Sequence, residues 1–248
     1  MRKRIITMIM AVSLLIGAGS AFGQGLTLAT LNWEPFYSEN LPEGGFFTAL
    51  SREAFKRAGY DLKVEFMPWK RALEMAKTGK YDGILGAYHN TDRETYFVFP
   101  DAAAHNEEVF FQKKGSGISY KTLDDLKPYK IGGLDASAPM KELKEKGFKT
   151  EGLTKELSSI KKLHAGRIDL MIMGKQNLNF ALKNMADYKP FQDAFEVLEP
   201  PFKSYGLYCP ISKKRPDANE IVEKFNAALK EMKADGTYDE ILTRFGQK

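Results

Sequence analysis

One arginine follows a short apolar strand and a glycine turn, which is a placement suited to binding a negatively charged group. Residues 83–85 form the predicted strand, Gly86, Ala87 and Tyr88 form the turn, and Arg93 comes shortly after it. Strand ends that open into glycine turns expose backbone N–H groups, and α/β proteins bind ligands there. A guanidinium group is permanently charged and planar, so it can donate two parallel hydrogen bonds to a carboxylate. We therefore predict that this turn and Arg93 bind the carboxylate of a small ligand.

The surrounding pattern favours the ligand-binding interpretation. Residues 82–93 read D-G-x-L-G-A-x-x-N-x-x-R, and Phe99 follows the arginine. This order resembles the polar-amino-acid branch of the bacterial periplasmic solute-binding proteins. The resemblance implies that Arg93 clamps a ligand α-carboxylate and that Asn90, where the family has a threonine, assists it. The alternative is a surface ion pair between Arg93 and a neighbouring acid.

The second half of the chain has a strand that ends in a serine at a predicted helix start. Residues 131–137 read I-G-G-L-D-A-S and match the place where the resembled family has a strand followed by Gly-Ser or Gly-Thr. Ser137 would present its hydroxyl where free helix N–H groups accept anions, while Ala136 replaces the usual glycine. The alternative is that Ser137 caps its own helix, and the two roles are compatible.

An aromatic loop follows the first predicted strand. Residues 32–36 read N-W-E-P-F, and a loop of this kind at a strand end can form an apolar wall beside a ligand. The resembled family has an aromatic residue near this position, so we predict that Trp33 lines the binding cleft, with Tyr88 as a second wall. Phe36 fits core packing equally well, and Trp69 is more typical of a core residue.

One acid that the resemblance leads us to expect is missing. In the resembled amino-acid binders, an aspartate that follows a G-R-x-D motif holds the ligand ammonium group, and counted from Asp169 that position is Gly174. A buried ammonium group without a carboxylate partner is strongly unfavourable. Either another acid compensates, with Glu34, Asp135 and Glu107 as candidates, or the ligand has no α-ammonium group. In the second case ordinary α-amino acids bind weakly and organic acids bind better.

Strand-like and helical segments alternate along the chain, which predicts βαβ units and a mostly parallel sheet. Residues 69–77 and 218–234 are among the predicted helices. Two α/β sets are separated by the linker-like residues 113–117, and an aromatic strand near residues 205–211 leads to the last two helices.

These elements predict an α/β fold with two lobes and two hinge strands. This is the Venus-flytrap arrangement of the resembled periplasmic-binding-protein family, in which a cleft closes on a ligand by hinge motion. The predicted boundaries are residues 24–112 and 207–248 for the discontinuous first lobe, and residues 113–206 for the second.

The first residues predict export. Three basic residues precede an apolar run over residues 5–16, and small residues follow, so residues 1–23 have the pattern of a cleavable signal peptide. The run is shorter than the ~20 residues that a membrane span needs. The one cysteine, Cys209, does not follow this run, which excludes the lipoprotein pattern. We therefore predict a periplasmic protein.

Several function classes find no support in the sequence. The formal net charge is only +5, and no basic block with interleaved aromatic residues is present, so nucleic-acid binding is not indicated. The three histidines lack metal-ligand spacing, and no serine- or cysteine-nucleophile motif occurs. We predict no metal site, no cofactor and no catalytic residue.

Together these patterns predict a monomeric periplasmic binding protein. It would capture a small carboxylate-bearing solute, an amino acid or a related organic acid, and present it to an ABC permease in the inner membrane. One alternative is a periplasmic enzyme on the same fold, similar to the cyclohexadienyl dehydratases, which requires a cleft acid with a perturbed pKa. A second alternative is an orphan or sensory binding protein that signals to a membrane receptor.

Overall fold

The computed structural model of the protein describes residues 24–247, and the predicted signal peptide lies outside them. The strands are, in chain order, β1 (Gln24–Thr30), β2 (Tyr60–Phe66), β3 (Gly83–Ile84), β4 (Phe97–Val98), β5 (Ala104–Lys113), β6 (Lys130–Leu134), β7 (Lys149–Leu153), β8 (Leu170–Gly174), β9 (Phe195–Leu207) and β10 (Ile211–Ser212). The helices are α1 (Phe46–Arg57), α2 (Trp69–Lys77), α3 (Thr91–Glu94), α4 (Ala138–Glu145), α5 (Glu156–His164), α6 (Lys175–Asn184), α7 (Ala218–Ala234) and α8 (Thr237–Arg244). Across the described part of the chain, no helix has the length and apolar character needed to cross a membrane.

The strands form two separate five-stranded sheets. The first has the order β2-β1-β3-β10-β4, and the second has the order β7-β6-β8-β5-β9. β1 runs parallel to β2 and β3, and β6 runs parallel to β7 and β8, as the alternation of strands and helices predicts. β5, β9 and β10 pair in antiparallel fashion, so both sheets are mixed rather than mostly parallel. The two-lobed α/β architecture confirms the predicted fold class.

Apolar periodicity explains how the helices cover the sheets. The buried residues of α7 recur every three or four positions, which directs one apolar stripe toward α1, β4 and β10. Phe225 of α7 contacts Phe55 of α1, with ring centroids 4.6 Å apart. Cys209 is fully buried in the same core, 3.3 Å from the Ser51 hydroxyl, and burial raises the pKa of its thiol to about 12. This thiol is a core group.

The chain passes between the two sheets twice. β4 ends at Val98 and β5 begins at Ala104, and β5 pairs with β8 and β9. The first crossing therefore precedes Ala104 and comes earlier than the predicted boundary after residue 112, because residues 104–112 form a long strand of the second sheet. The second crossing lies between Leu207 and Ile211. Rotation of the lobes about these crossings stays a prediction.

Candidate functional site between the two sheets

A cavity of about 50 Å³ lies between the two sheets. Its aromatic lining comes from Trp33, Tyr37, Trp69 and Tyr88. Its polar and charged lining comes from Arg93, Glu108, Ser137 and Glu156. A space of this size holds only a few water molecules. Trp33 Nε1 and Arg93 Nη2 donate hydrogen bonds across this space to the other lobe, so a larger ligand needs side chains or lobes to move.

Arg93 is a buried cation at this cavity and is only 3% exposed. Its Nη1 donates to the Tyr88 carbonyl at 2.5 Å and its Nη2 to the Ala136 carbonyl at 3.2 Å, whereas its Nε has no hydrogen-bond partner within the described part of the chain. Its guanidinium carbon lies 5.2 Å from the centre of the Trp69 ring. Burial lowers the pKa of Arg93 to about 10, so the group stays protonated at neutral pH. Among residues 24–247 no carboxylate forms an ion pair with it. This arrangement suits an anionic ligand group.

The start of α3 places Arg93. Asn90 is the N-cap of this short helix, and its Oδ1 accepts a hydrogen bond from the Arg93 backbone N–H at 2.9 Å. Asn90 does not line the cavity. The predicted contact between Asn90 and a ligand stays a prediction, and in this geometry Asn90 fixes the helix that carries the arginine.

Tyr37 and Gly86 fix the turn before α3. Gly86 has a φ of 81°, and its carbonyl accepts a hydrogen bond from the Tyr37 hydroxyl at 2.9 Å. A Cβ on Gly86 would lie 2.2 Å from the Tyr37 ring, so the turn needs glycine. Gly86 and Tyr88 line the cavity, whereas Ala87 forms a backbone bridge with Tyr208 and does not.

Across the cavity, the turn between β6 and α4 supplies Ser137. Its Oγ accepts a hydrogen bond from the Met140 N–H at 3.5 Å as the N-cap of α4, and it also lines the cavity. Both roles that the sequence suggested for Ser137 are compatible with this geometry. Ala136 has a φ of 59°, unusual for a residue with a side chain, and does not line the cavity. Its carbonyl accepts hydrogen bonds from Arg93 and from Trp69 Nε1, the latter at 3.3 Å.

Trp33 lies in the cavity wall. Its ring stacks on Phe36 with centroids 4.9 Å apart and meets the Tyr88 ring edge-on at 5.8 Å. Its Nε1 donates to Glu156 Oε1 at 2.9 Å, and this hydrogen bond joins the two lobes. Trp69, which the sequence favours as a core residue, also lines the cavity.

Two glutamates that the sequence analysis did not single out line the cavity, Glu108 and Glu156. Glu108 of β5 is only 4% exposed and accepts a hydrogen bond from the Tyr88 hydroxyl at 2.7 Å. Burial raises the pKa of Glu108 to about 8, and the charge of Glu156 contributes to the increase. Burial likewise raises the pKa of Glu156 to about 7, although the hydrogen bond from Trp33 opposes the increase. Both carboxyl groups therefore titrate near neutral pH.

Only one of these glutamates leaves a signal in the sequence. Side chains two positions apart point to the same face of a strand, so Glu108 shares a face of β5 with the fully buried Phe110. A carboxylate on an apolar strand face indicates a site or a buried polar contact. Glu156 gives no comparable signal, because acids in the first turn of a helix are common and are stabilised by its N-terminus.

Neighbouring amides fill the space beside Gly174, where the resembled family has its ammonium-binding acid. A Cβ there would lie 2.1 Å from Asn177 Oδ1 and 2.3 Å from Asn106 Nδ2. These two amides hydrogen-bond to each other at 3.2 Å, and Gly174 does not line the cavity. A carboxylate at position 174 therefore has no room in this structure.

The three acids that the sequence suggested as replacements do not line the cavity either. Asp135 pairs with Lys70 at 3.3 Å, and Glu107 lies 3.7 Å from Lys175, with all four side chains at least one-third exposed. The backbone carbonyl of Glu34 accepts a hydrogen bond from Asn177 Nδ2 at 2.7 Å. Glu108 and Glu156 are the acids that reach the cavity.

Known solute-binding proteins are similar to this chain over most of its length. The family model of the bacterial extracellular solute-binding proteins, family 3, matches residues 26–248. The arginine-binding extracellular protein of Bacillus subtilis strain 168 is 27% identical over 216 residues, which cover 85% of this chain and 81% of that protein. The lysine/arginine/ornithine-binding periplasmic protein of Escherichia coli strain K12 is 26% identical over 251 residues, which cover 96% of this chain and 95% of that protein.

Solved structures share the two-lobed fold. The arginine-, lysine-, histidine-binding protein of the thermophilic bacterium Geobacillus stearothermophilus has a TM-score of 0.73 and 22% identity, over 91% of this chain and 96% of that chain. A histidine kinase sensor domain with similarity to periplasmic binding proteins has a TM-score of 0.75 and 15% identity, over 90% of this chain and 95% of that chain. At these identities the likeness concerns the fold alone.

Proposed function

The chain belongs to the bacterial extracellular solute-binding proteins of family 3, and from this premise we propose that it captures a small carboxylate-bearing solute in the cavity between its lobes. The solute is an amino acid or a related organic acid, and the protein presents it as a monomer to an ABC permease in the inner membrane. Hinge motion at the two crossings between the sheets opens and closes the cavity. Closure is favoured because the solute contacts both lobes in the closed form.

The buried, unpaired guanidinium of Arg93 is the observation that carries this proposal. A cation that is 3% exposed and has one N–H without a partner is unfavourable unless an anion enters the cavity. A carboxylate accepts two parallel charge-assisted hydrogen bonds from such a group. The Ser137 hydroxyl lines the same cavity from the other lobe, so a bound carboxylate within reach of both groups links the two lobes.

The relatives support an amino acid as the solute and the periplasm as the location. They include arginine-binding and lysine/arginine/ornithine-binding proteins. They are extracellular or periplasmic proteins by name. The signal-peptide pattern at residues 1–23 supports export of this chain as well.

A paired ligand screen tests the proposal. We expect at least one of the twenty common L-amino acids, or a small organic acid, to raise the Tm of the purified protein, because ligands that bind the folded state stabilise it. The matching carboxamide should raise the Tm far less, because an amide is uncharged and cannot accept two charge-assisted hydrogen bonds from Arg93. Calorimetry on each hit gives the affinities. A carboxamide that binds as tightly as its acid would contradict the proposal, as would a panel with no hit.

The two buried acids favour one alternative, an enzyme on the same fold. Glu108 and Glu156, with pKa values of about 8 and 7, are suited to proton transfer at neutral pH, which cyclohexadienyl dehydratases require. The relatives named above are binding proteins. Incubation with a cyclohexadienyl carboxylate, followed by the ultraviolet absorbance of an aromatic product, separates the two functions. We expect no turnover above that of a Glu108→Gln, Glu156→Gln double variant.

A further inference from the structure

The turn that follows β6 in the second lobe is bound by three donors of the first lobe. The Ala136 carbonyl accepts hydrogen bonds from Arg93 Nη2 at 3.2 Å and from Trp69 Nε1 at 3.3 Å. Beside it, Asp135 Oδ2 pairs with Lys70 Nζ at 3.3 Å. We call Asp135 and Ala136 the docking turn. Its contacts join protein atoms of both lobes, so they hold the lobes together without any contribution from a solute.

We propose that the docking turn is an autoinhibitory contact, in which the Ala136 carbonyl takes a donor of Arg93 that a solute carboxylate needs. The lobes then close on each other without a solute, and a solute binds only when the turn has left Arg93. The inference rests on the proposed function, in which Arg93 binds the carboxylate of the solute. It adds a competing closed form that lowers the apparent affinity.

Arg93 is suited to such an exchange of partners. Two of its nitrogens donate to the neutral carbonyls of Tyr88 and Ala136, and its Nε has no partner within residues 24–247. A carbonyl satisfies a guanidinium group only in part, because hydrogen bonds to an ionised acceptor are roughly twice as strong. A solute carboxylate therefore displaces the Ala136 carbonyl, but it must compete with it.

The backbone of Ala136 indicates that the docked turn is held under constraint. Its φ of 59° is unfavourable for a residue with a Cβ. Such conformations persist where surrounding contacts fix them, and they are frequent at ligand clamps and switch regions. Here the fixing contacts are the two hydrogen bonds to the Ala136 carbonyl and a third, at 3.0 Å, from the Ala136 N–H to Asp135 Oδ1. The Asp135 carboxylate thus joins the constrained turn to Lys70 of the other lobe.

Two ion pairs at the edge of the cleft stabilise the docked form. Lys141 of α4 pairs with Asp92 of α3, so together with Lys70 and Asp135 each lobe supplies one cation and one anion. The four side chains line an opening of about 480 Å³ between the lobes and are at least 32% exposed. These four do not line the smaller cavity beside Arg93. Substitutions among them therefore weaken the docked form without altering the solute-binding surface.

The inference fixes the sign of the effect on affinity. A contact that stabilises only the solute-bound form strengthens binding, so its loss weakens binding. A contact that stabilises a competing form instead reduces the fraction of molecules that can bind, and the apparent affinity falls with that fraction. Loss of the pair between Lys70 and Asp135 should therefore tighten the binding of a solute.

A distance measurement without solute tests for the competing closed form. Lys80→Cys and Lys146→Cys place spin labels on exposed positions of the first and second lobe, and the fully buried Cys209 stays unlabelled. We expect the extensively dialysed chain to show a population with short label distances. Asp135→Lys sets like charges opposite Lys70, so it should shift that population to longer distances. Asp135→Lys combined with Lys70→Asp should restore it.

Calorimetry on the same variants tests the competition. The probe is the solute that raises the Tm most among the twenty common L-amino acids and a panel of small organic acids. Asp135→Lys should bind it roughly 2- to 10-fold more tightly, because reversal of one exposed ion pair shifts the closed fraction by about that factor. The charge-swapped double variant should return to the wild-type affinity. Glu220→Lys, the same change of charge beside Lys224 within the first lobe, should leave the affinity and the label distances unchanged.

The outcomes separate this inference from the proposed function. Unchanged or weaker solute binding by Asp135→Lys, or label distances that do not respond to it, would overturn the inference while Arg93 stays the carboxylate site. The label distances need no solute, so they give a result of their own, whereas a carboxamide that binds as tightly as its acid would overturn the proposed function itself. If Asp135→Lys fails to fold, Lys70→Asp places like charges at the same contact and decides the question.

Discussion

Replacing Arg93 by alanine is expected to weaken the binding of every carboxylate-bearing solute by roughly 30- to 5,000-fold, or about 2–5 kcal/mol. Arg93 is 3% exposed, so its hydrogen bonds to a carboxylate form with little competition from water. Arg93→Lys keeps the charge but loses the planar arrangement of donors, so it should recover only part of the affinity. Calorimetry with the best solute from the ligand screen measures both losses.

A matched control for this prediction lies on the neighbouring helix. Arg71 of α2 is exposed, and Arg71→Ala should leave the affinity unchanged.

Alanine at position 93 removes hydrogen bonds to two carbonyls, but it also removes a buried charge that has no counter-ion. We therefore expect the free energy of unfolding of the ligand-free Arg93→Ala protein to change by about 1 kcal/mol or less. An unchanged affinity in the Arg93→Ala protein would show that the carboxylate binds elsewhere.

The part of the cavity around Arg93 was predictable because its geometry is local. The strand, the glycine turn and the helix that places Arg93 all lie within residues 83–94, so no distant contact is needed to recognise a cation at a strand end. The bounds of α2 and α7 also agree with the predicted residues 69–77 and 218–234, because both helices have a clear apolar period.

The positions of Glu108 and Glu156 depend on contacts that sequence spacing does not reveal. Glu156 reaches the cavity beside Trp33, which is 123 positions away in the chain. Glu108 becomes buried because β5 joins the second sheet while Tyr88 packs against it from the first lobe. The sequence did not indicate that β5 pairs with β8 and β9, since alternation shows that a segment is a strand but not which sheet it joins. The predicted lobe boundaries stay a prediction.

Replacing Gly86 by alanine is expected to lower the free energy of unfolding by roughly 2–5 kcal/mol, because two unfavourable effects add. At a φ of 81° a residue with a Cβ is destabilised by about 1–2 kcal/mol. The Cβ would also lie 2.2 Å from the Tyr37 ring, and overpacking of this kind costs about 1–3 kcal/mol. Tyr37 is 1% exposed, and its ring centroid lies 5.5 Å from that of Trp33 and 5.8 Å from that of Phe47. Its ring therefore cannot easily move aside.

Thermal denaturation measures this loss as a fall in Tm on the order of 10 °C for a protein of this size. Gly115→Ala is the matched control, because Gly115 has a φ of 82° and no atom within 4 Å of an added Cβ. It should show the backbone effect alone, about 1–2 kcal/mol. Solute affinity should fall in Gly86→Ala and not in Gly115→Ala, because the displaced turn carries the Tyr88 carbonyl that orients Arg93. Equal losses of stability in the two variants would mean that Tyr37 does not constrain the turn, and that the arginine is positioned by α3 and its cap instead.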